Sequence, residues 1–198
     1  MRIQCCAAEV TTHGALDFAV DSLHCRWQPM PGAVRAQDIA SEWLRSVAGD
    51  DAAGLHRDAR SRPRLARGDT GWSHSHGRLL IAYADHGRIG VDVESSVRST
   101  DPMRIARRYF AQQEIEMLEA LESDARHLAF LRLWCAKEAV LKAHGGGIAF
   151  GLHKAVFDAG GDRLRMLRCD PALGHVDDWR LDLLEPEPEF IAVLASTA

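Results

Sequence analysis

The sequence predicts an α+β fold, and three observations carry that assignment. Apolar residues recur at helical spacing over 33–49 and again over about 126–144. Short apolar or alternating runs at 79–94, 154–167, 178–184 and 189–195 fit strands. Glycine, proline and aspartate stand between the two kinds of segment, and no repeat or low-complexity tract interrupts them.

Taken in order, IQCCAAEV near the amino terminus reads as a strand. In AVRAQDIASEWLRSVAG, Ala36, Ile39, Ala40, Trp43, Leu44 and Val47 share one helical face, and Gly49 supplies the stop. Residues 52–70 are rich in Arg, Asp and Gly and read as a loop, where Pro63 forces an extended path that presents Arg62 and Arg64 as donors. LLIAYADHGRIGVDVE reads as a hairpin turning at Asp85, His86 and Gly87. Asp101 is an N-cap with Pro102 at the first helical position of MRIARRYF, and QQEIEMLEAL continues as a second helical piece. A longer helix follows from about Arg126 to His144, ended by Gly145 to Gly147. KAVFDAGGDRLRML then reads as a hairpin turning at Gly160 and Gly161, and DWRLDLL and EFIAVLA as further strands.

Composition bounds the function. With 198 residues, 46% hydrophobic and 26% charged, the chain suits one globular domain or two small packed halves. A net charge of −4 argues against nucleic acid or an anionic membrane as partner, while leaving room for a local phosphate site. The five cysteines include no CxxC pair and fit reduced thiols in a cytosol. MRIQCCAAEV has no signal-peptide core, and no run of about 18 apolar residues occurs. These features predict a cytoplasmic protein.

Three clusters carry candidate chemistry. In RIGVDVE, a strand points Asp92 and Glu94 to one face and Ile89, Val91 and Val93 to the other. That face is either a solvated outer surface or a place where a cation bridges the two acids. In WCAKEAVLKAHGGG, Phe130, Leu133, Trp134, Val140 and Leu141 form the apolar stripe, with Lys137 near its centre and Glu138 and Lys142 along one edge. Glu138 and Lys142 form an exposed i,i+4 pair or part of a site, and Lys137 favours the site, because an amine on an apolar face needs a partner. WSHSHG offers Ser73, His74, Ser75, His76 and the backbone beside Gly77, either as a solvated turn or as donors for phosphate oxygens. Zinc is the weaker reading of the two histidines, since no HExxH or paired CxxC accompanies them.

The ordered set SRPRL, WSHSHG, IGVDVE and WCAKEAVLKAHGGG, with RRYFAQQEIEML between the last two, resembles the 4′-phosphopantetheinyl transferases of the Sfp type over Arg62 to Gly151. The resemblance implies two pseudo-twofold halves, here 1–88 at the nucleotide end of coenzyme A and 89–198 carrying the metal site and carrier-protein surface. It implies Mg²⁺ on Asp92, Glu94 and Glu138, with Lys142 on the phosphates, Lys137 supporting the same end, and Glu138 as base. It also implies Arg62, Ser73 and His74 at the nucleotide, with His74 near the 3′-phosphate. The partners implied are coenzyme A and an apo acyl or peptidyl carrier protein, met by a monomer whose halves already build the cleft. The family's early basic grip on the 3′-phosphate has no matching motif, and Arg26 and Arg35 are candidates for it. Two competing readings are a Mg²⁺-dependent phosphodiesterase and a non-catalytic coenzyme A or carrier-binding module. The spacing of the lysine-glutamate helix after DVE argues against the first, and the intact acid set against the second.

Overall fold

The computed structural model describes residues 9–10, 14–97, 101–160 and 163–198. The chain is α+β and contains two principal antiparallel sheets. The first sheet has the order β1-β2-β3-β7-β6, built from β1 (Glu9–Val10), β2 (Leu16–Val20), β3 (Leu23–Pro29), β6 (Asp69–Ser75) and β7 (Arg78–Ala84). Helix α1 (Ala36–Ala48) packs Ala36, Ala40, Trp43 and Leu44 against Leu79, Ile81 and Tyr83 of β7. It ends at Gly49, whose φ of 54° lies in the left-handed region that glycine adopts without strain. Most of IQCCAAEV lies outside the described residues; Glu9 and Val10 are in β1.

The second sheet has the order β11-β12-β8, from β8 (Arg88–Ser95), β11 (Trp179–Leu184) and β12 (Phe190–Thr197). Ile89, Val91 and Val93 on one face of β8 join the core under the first sheet, with Trp27, Leu80 and Ala82. The other face is covered by α4 (Ser123–His144), so the alternation in RIGVDVE separates one core from another rather than core from water. Gly90 makes this packing possible, because a Cβ there would lie 1.9 Å from the Ala139 carbonyl oxygen.

One expected pairing is corrected. Strands β7 and β8 are present and the chain turns between them, but they do not form a hairpin: β8 pairs with β12, and β7 lies between β3 and β6. Both edges of β7 are occupied, so β8 has no place beside it. The hairpin is instead β6–β7, closed by His76 and Gly77 with φ of 46° and 74°, the positive values that a two-residue turn between twisted strands requires. WSHSHG is therefore strand and hairpin turn together.

The segment 52–70 contains a short ladder of β4 (His56–Arg57) with β5 (Pro63–Arg64). Helix α2 (Pro102–Tyr109) starts at Asp101, whose carboxylate accepts the backbone N–H groups of Met103 and Arg104, and α3 (Gln112–Glu119) follows. Strands β9 (Ala155–Asp158) and β10 (Arg165–Cys169) form the expected ladder, though part of the turn between them lies outside the described residues. Helix α4 ends at Gly145 with φ of 84°.

Candidate active site

Strand β6 is an edge strand of the first sheet, and it runs alongside β8. Ser73 donates to Asp92 Oδ1 at 2.9 Å, and two residues on, Ser75 donates to Glu94 Oε2 at 3.2 Å. The period of two that points both acids one way also points both serines at them. From the helix above, Lys142 reaches the same spot, donating to Asp92 Oδ1 at 2.6 Å, Ser73 Oγ at 3.1 Å and the Val91 carbonyl at 3.1 Å.

Glu138 stands one helical turn before Lys142 and is 7% exposed, so the exposed surface pair does not describe it. Burial, reinforced by the charges of Asp92 and Glu94 and only partly offset by Lys142, pushes its carboxyl up to about 7. Burial draws the Lys142 ammonium the other way, but Asp92 and Glu138 outweigh it and hold its pKa above the ordinary lysine value. Asp92, Glu94 and Glu138 thus stand together with Lys142.

Two carboxylate oxygens of this cluster stand out. Asp92 Oδ2 and Glu138 Oε1 are buried and have no hydrogen-bond partner among the described residues, whereas buried carboxylate oxygens are ordinarily satisfied. Among the described residues, no three such side chains stand as a ready-made metal cage. A hard divalent cation that takes one or two carboxylates and completes its shell with phosphate oxygens and water fits these two oxygens well.

Beside the acids lies a cavity of about 330 Å³, lined among others by Arg57, Arg60, Trp72, His74 and Lys142. The Arg57 guanidinium stacks 5.1 Å from the Trp72 ring centroid, and Nε donates to Gln37 at 2.8 Å. His74 is exposed at the mouth. This wall is cationic and aromatic, suited to a phosphorylated nucleotide rather than to an apolar ligand.

Arg62 also lines the cavity, but its side chain is bonded to protein: Nε to the Lys142 carbonyl at 2.9 Å, and Nη2 to Asp69 and the Ile89 carbonyl. Arg26 is held by Asp17 at 2.5 Å and Arg35 by Asp38 at 2.9 Å, and neither is among the residues lining this cavity.

Lys137 lies apart from this cluster. Its side chain is fully buried and points away from the acids, because adjacent residues on a helix diverge by about 100°. Its ammonium contacts Glu114 Oε2 at 2.8 Å, the Leu152 carbonyl at 2.9 Å and the Ala155 carbonyl at 2.5 Å, which uses all three donors. Glu114, equally buried, also accepts the N–H groups of Ala111 and Phe157, so the pair ties α3, α4 and β9 together. Lys137→Ala is expected to leave that carboxylate unpaired and to cost about 3–5 kcal/mol in denaturant unfolding. Normal stability with lost catalysis would restore the role given to Lys137 by the sequence.

A buried carboxylate beside the site that the sequence did not suggest is Asp69, at the start of β6, which accepts both Arg62 and, at 2.7 Å, the Ile89 N–H. A lone aspartate ahead of a threonine and a glycine carries no pattern that would single it out.

A sequence model described as the 4′-phosphopantetheinyl transferase superfamily matches residues 88–184. A putative 4′-phosphopantetheinyl transferase of Synechocystis is 38% identical over 109 residues, covering 55% of this chain and 43% of that protein. The 4′-phosphopantetheinyl transferase HetI of Nostoc is 39% identical over 77 residues, covering 39% and 32%. The 4′-phosphopantetheinyl transferase Sfp of Bacillus subtilis is 35% identical over 80 residues, covering 40% and 34%. The chain thus spans less than half the length of each of these three curated relatives.

Proposed function

We propose that the chain, which is similar to the 4′-phosphopantetheinyl transferase superfamily over residues 88–184, transfers the 4′-phosphopantetheine arm of coenzyme A to a serine of an apo acyl or peptidyl carrier protein. The observation that carries this reading is the meeting of Asp92, Glu138 and Lys142 beside a cationic, aromatic cavity of nucleotide character. In this reading residues 1–88 serve the nucleotide end and 89–198 the acids and the carrier-protein surface, within a cytoplasmic monomer. No helix among the described residues is long and apolar enough to cross a membrane.

Asp92 and Glu138, with Glu94 beside them, would hold Mg²⁺, which when bound neutralises the pyrophosphate as charge builds on it. Glu138 takes the proton of the attacking serine hydroxyl, directly or through water. The serine oxygen forms its bond to the β-phosphorus, the bond from that phosphorus to the bridging oxygen breaks, and adenosine 3′,5′-bisphosphate leaves with the electron pair. Lys142, fixed between Asp92 and Ser73, donates to the phosphate oxygens as that charge appears. Ser73 and Ser75 orient the two strand acids.

Incubation with coenzyme A, Mg²⁺ and an apo carrier protein, followed by intact mass, tests the reading directly. Gain of one phosphopantetheine arm is expected. A carrier protein left unmodified while the cofactor is cleaved would point to a phosphodiesterase, and binding without turnover to a recognition module. His74→Ala should weaken coenzyme A more than dephospho-coenzyme A, because His74 stands at the mouth where the 3′-phosphate would lie. Equal losses in binding calorimetry would remove His74 from that role.

A further inference from the structure

Asp69 and Arg62 are a buried ion pair with no part in the chemistry described above, and they join three separate elements. Asp69 stands at the start of β6 and is 4% exposed; Arg62 follows the β4–β5 turn and is 6% exposed. The carboxylate oxygen Oδ2 accepts both Arg62 Nη2 and the Ile89 N–H of β8. Through Nε the same guanidinium donates to the carbonyl of Lys142 in the last turn of α4, and through Nη2 to the carbonyl of Ile89. The pair therefore joins the edge of the first sheet, the first residues of β8, and the end of the helix that carries Glu138 and Lys142.

Neighbouring contacts hold the guanidinium in that place. Asp58 accepts the Arg62 N–H at 3.0 Å and its own N–H donates to the Arg62 carbonyl at 2.9 Å, while Gly145 leaves room for the Arg62 stem, since a Cβ there would stand 3.3 Å from Cδ. A planar fork serves three acceptors in fixed directions, which an ammonium cannot reproduce. Buried ion pairs add little stability over apolar packing of equal volume, so the retention of one at this junction calls for a geometric reason.

Resting on the transfer reading, we infer that Asp69 is a positioning residue, holding Arg62 as a clamp that sets the placement of Asp92 on β8 relative to Glu138 and Lys142 on α4. Arg62 in this arrangement shapes the cavity wall and does not grip the nucleotide phosphate. An acid and a base held to a fraction of an ångström lose rate quickly when their supports slip, even with the ligand still bound.

The test is Asp69→Asn, Arg62→Gln and the double variant, each assayed with coenzyme A and with dephospho-coenzyme A against an apo carrier protein, beside wild-type chain. Each single change is expected to lower kcat about tenfold or more with the KM for coenzyme A within about twofold, by the same factor for both cofactors. The double variant should be no worse than the poorer single. Wild-type kcat in folded Asp69→Asn would overturn the proposal, as would a loss in Arg62→Gln confined to coenzyme A. Should Asp69→Asn fail to fold, Arg62→Lys keeps the charge without the fork and is expected to show the same loss in kcat; full activity there overturns the proposal equally. Amide hydrogen exchange reads the clamp without catalysis: Asp69→Asn should speed exchange over 88–92 and 140–147 together, and exchange unchanged in either segment counts against it. A wild-type chain that transfers nothing would defeat the transferase reading, and exchange would still decide whether Asp69 joins these elements.

Discussion

Glu138→Gln is expected to reduce transfer at least about a hundredfold and at the same time to raise the thermal stability of the ligand-free protein at pH 8. The two effects have one cause. The Glu138 carboxyl is raised from 4.5 to about 7, first by burial and then by Asp92 and Glu94. A carboxyl whose folded pKa lies above its unfolded value favours folding only while it is protonated. The folded chain then binds more protons than the unfolded one between about pH 4.5 and 7, so stability falls as the pH rises through that window. Above it the full cost is on the order of 3 kcal/mol, which glutamine removes. The melting temperatures of variant and wild type should converge near pH 4 and separate toward pH 8. Mg²⁺ with coenzyme A should narrow the gap by stabilising the wild type alone. A variant that melts with the same pH dependence as wild type would mean that the buried charge is compensated within the protein, and the cation argument would lose its basis.

Much of this arrangement is legible in the sequence because periodicity records burial. The helix 36–48 shows its face through Ala36, Ala40, Trp43 and Leu44, and the alternation in RIGVDVE puts Asp92 and Glu94 together, as the structure has them. What periodicity cannot record is what covers a face. Asp92 and Glu94 also read as a polar outer face, and Gly90, which lets α4 approach the strand, helps turn that face into an interior one. Strand β7 reads as half of a hairpin with β8, yet neighbours depend on which edges are free, and β3 and β6 occupy both. Lys137 shows the same limit from the other side. Its place on an apolar face signals that it has a partner, but that partner, Glu114, sits on a different helix, and no spacing rule links the two.

Lys142→Ala and Asp92→Asn form the second large effect, and their combination tells more than either alone. Lys142 donates to Asp92 Oδ1 at 2.6 Å and to Ser73 Oγ at 3.1 Å, so the three side chains form one polar unit between strand and helix. In the transferase reading Lys142 meets developing phosphate charge and Asp92 contributes to the cation site, so each single change should lower kcat about a hundredfold or more. Stability should move in opposite directions according to what is left unpaired. Lys142→Ala leaves Asp92 and Glu138 facing each other without their shared cation, which should destabilise the chain toward alkaline pH, whereas Asp92→Asn relieves Glu138 of a neighbouring charge. Because both residues act on one phosphate through one site, the double variant should lose little more activity than the poorer single. If the losses instead multiply, the two residues act at separate steps, and Lys142 would be supporting nucleotide binding rather than the charge that forms on the bridging oxygen.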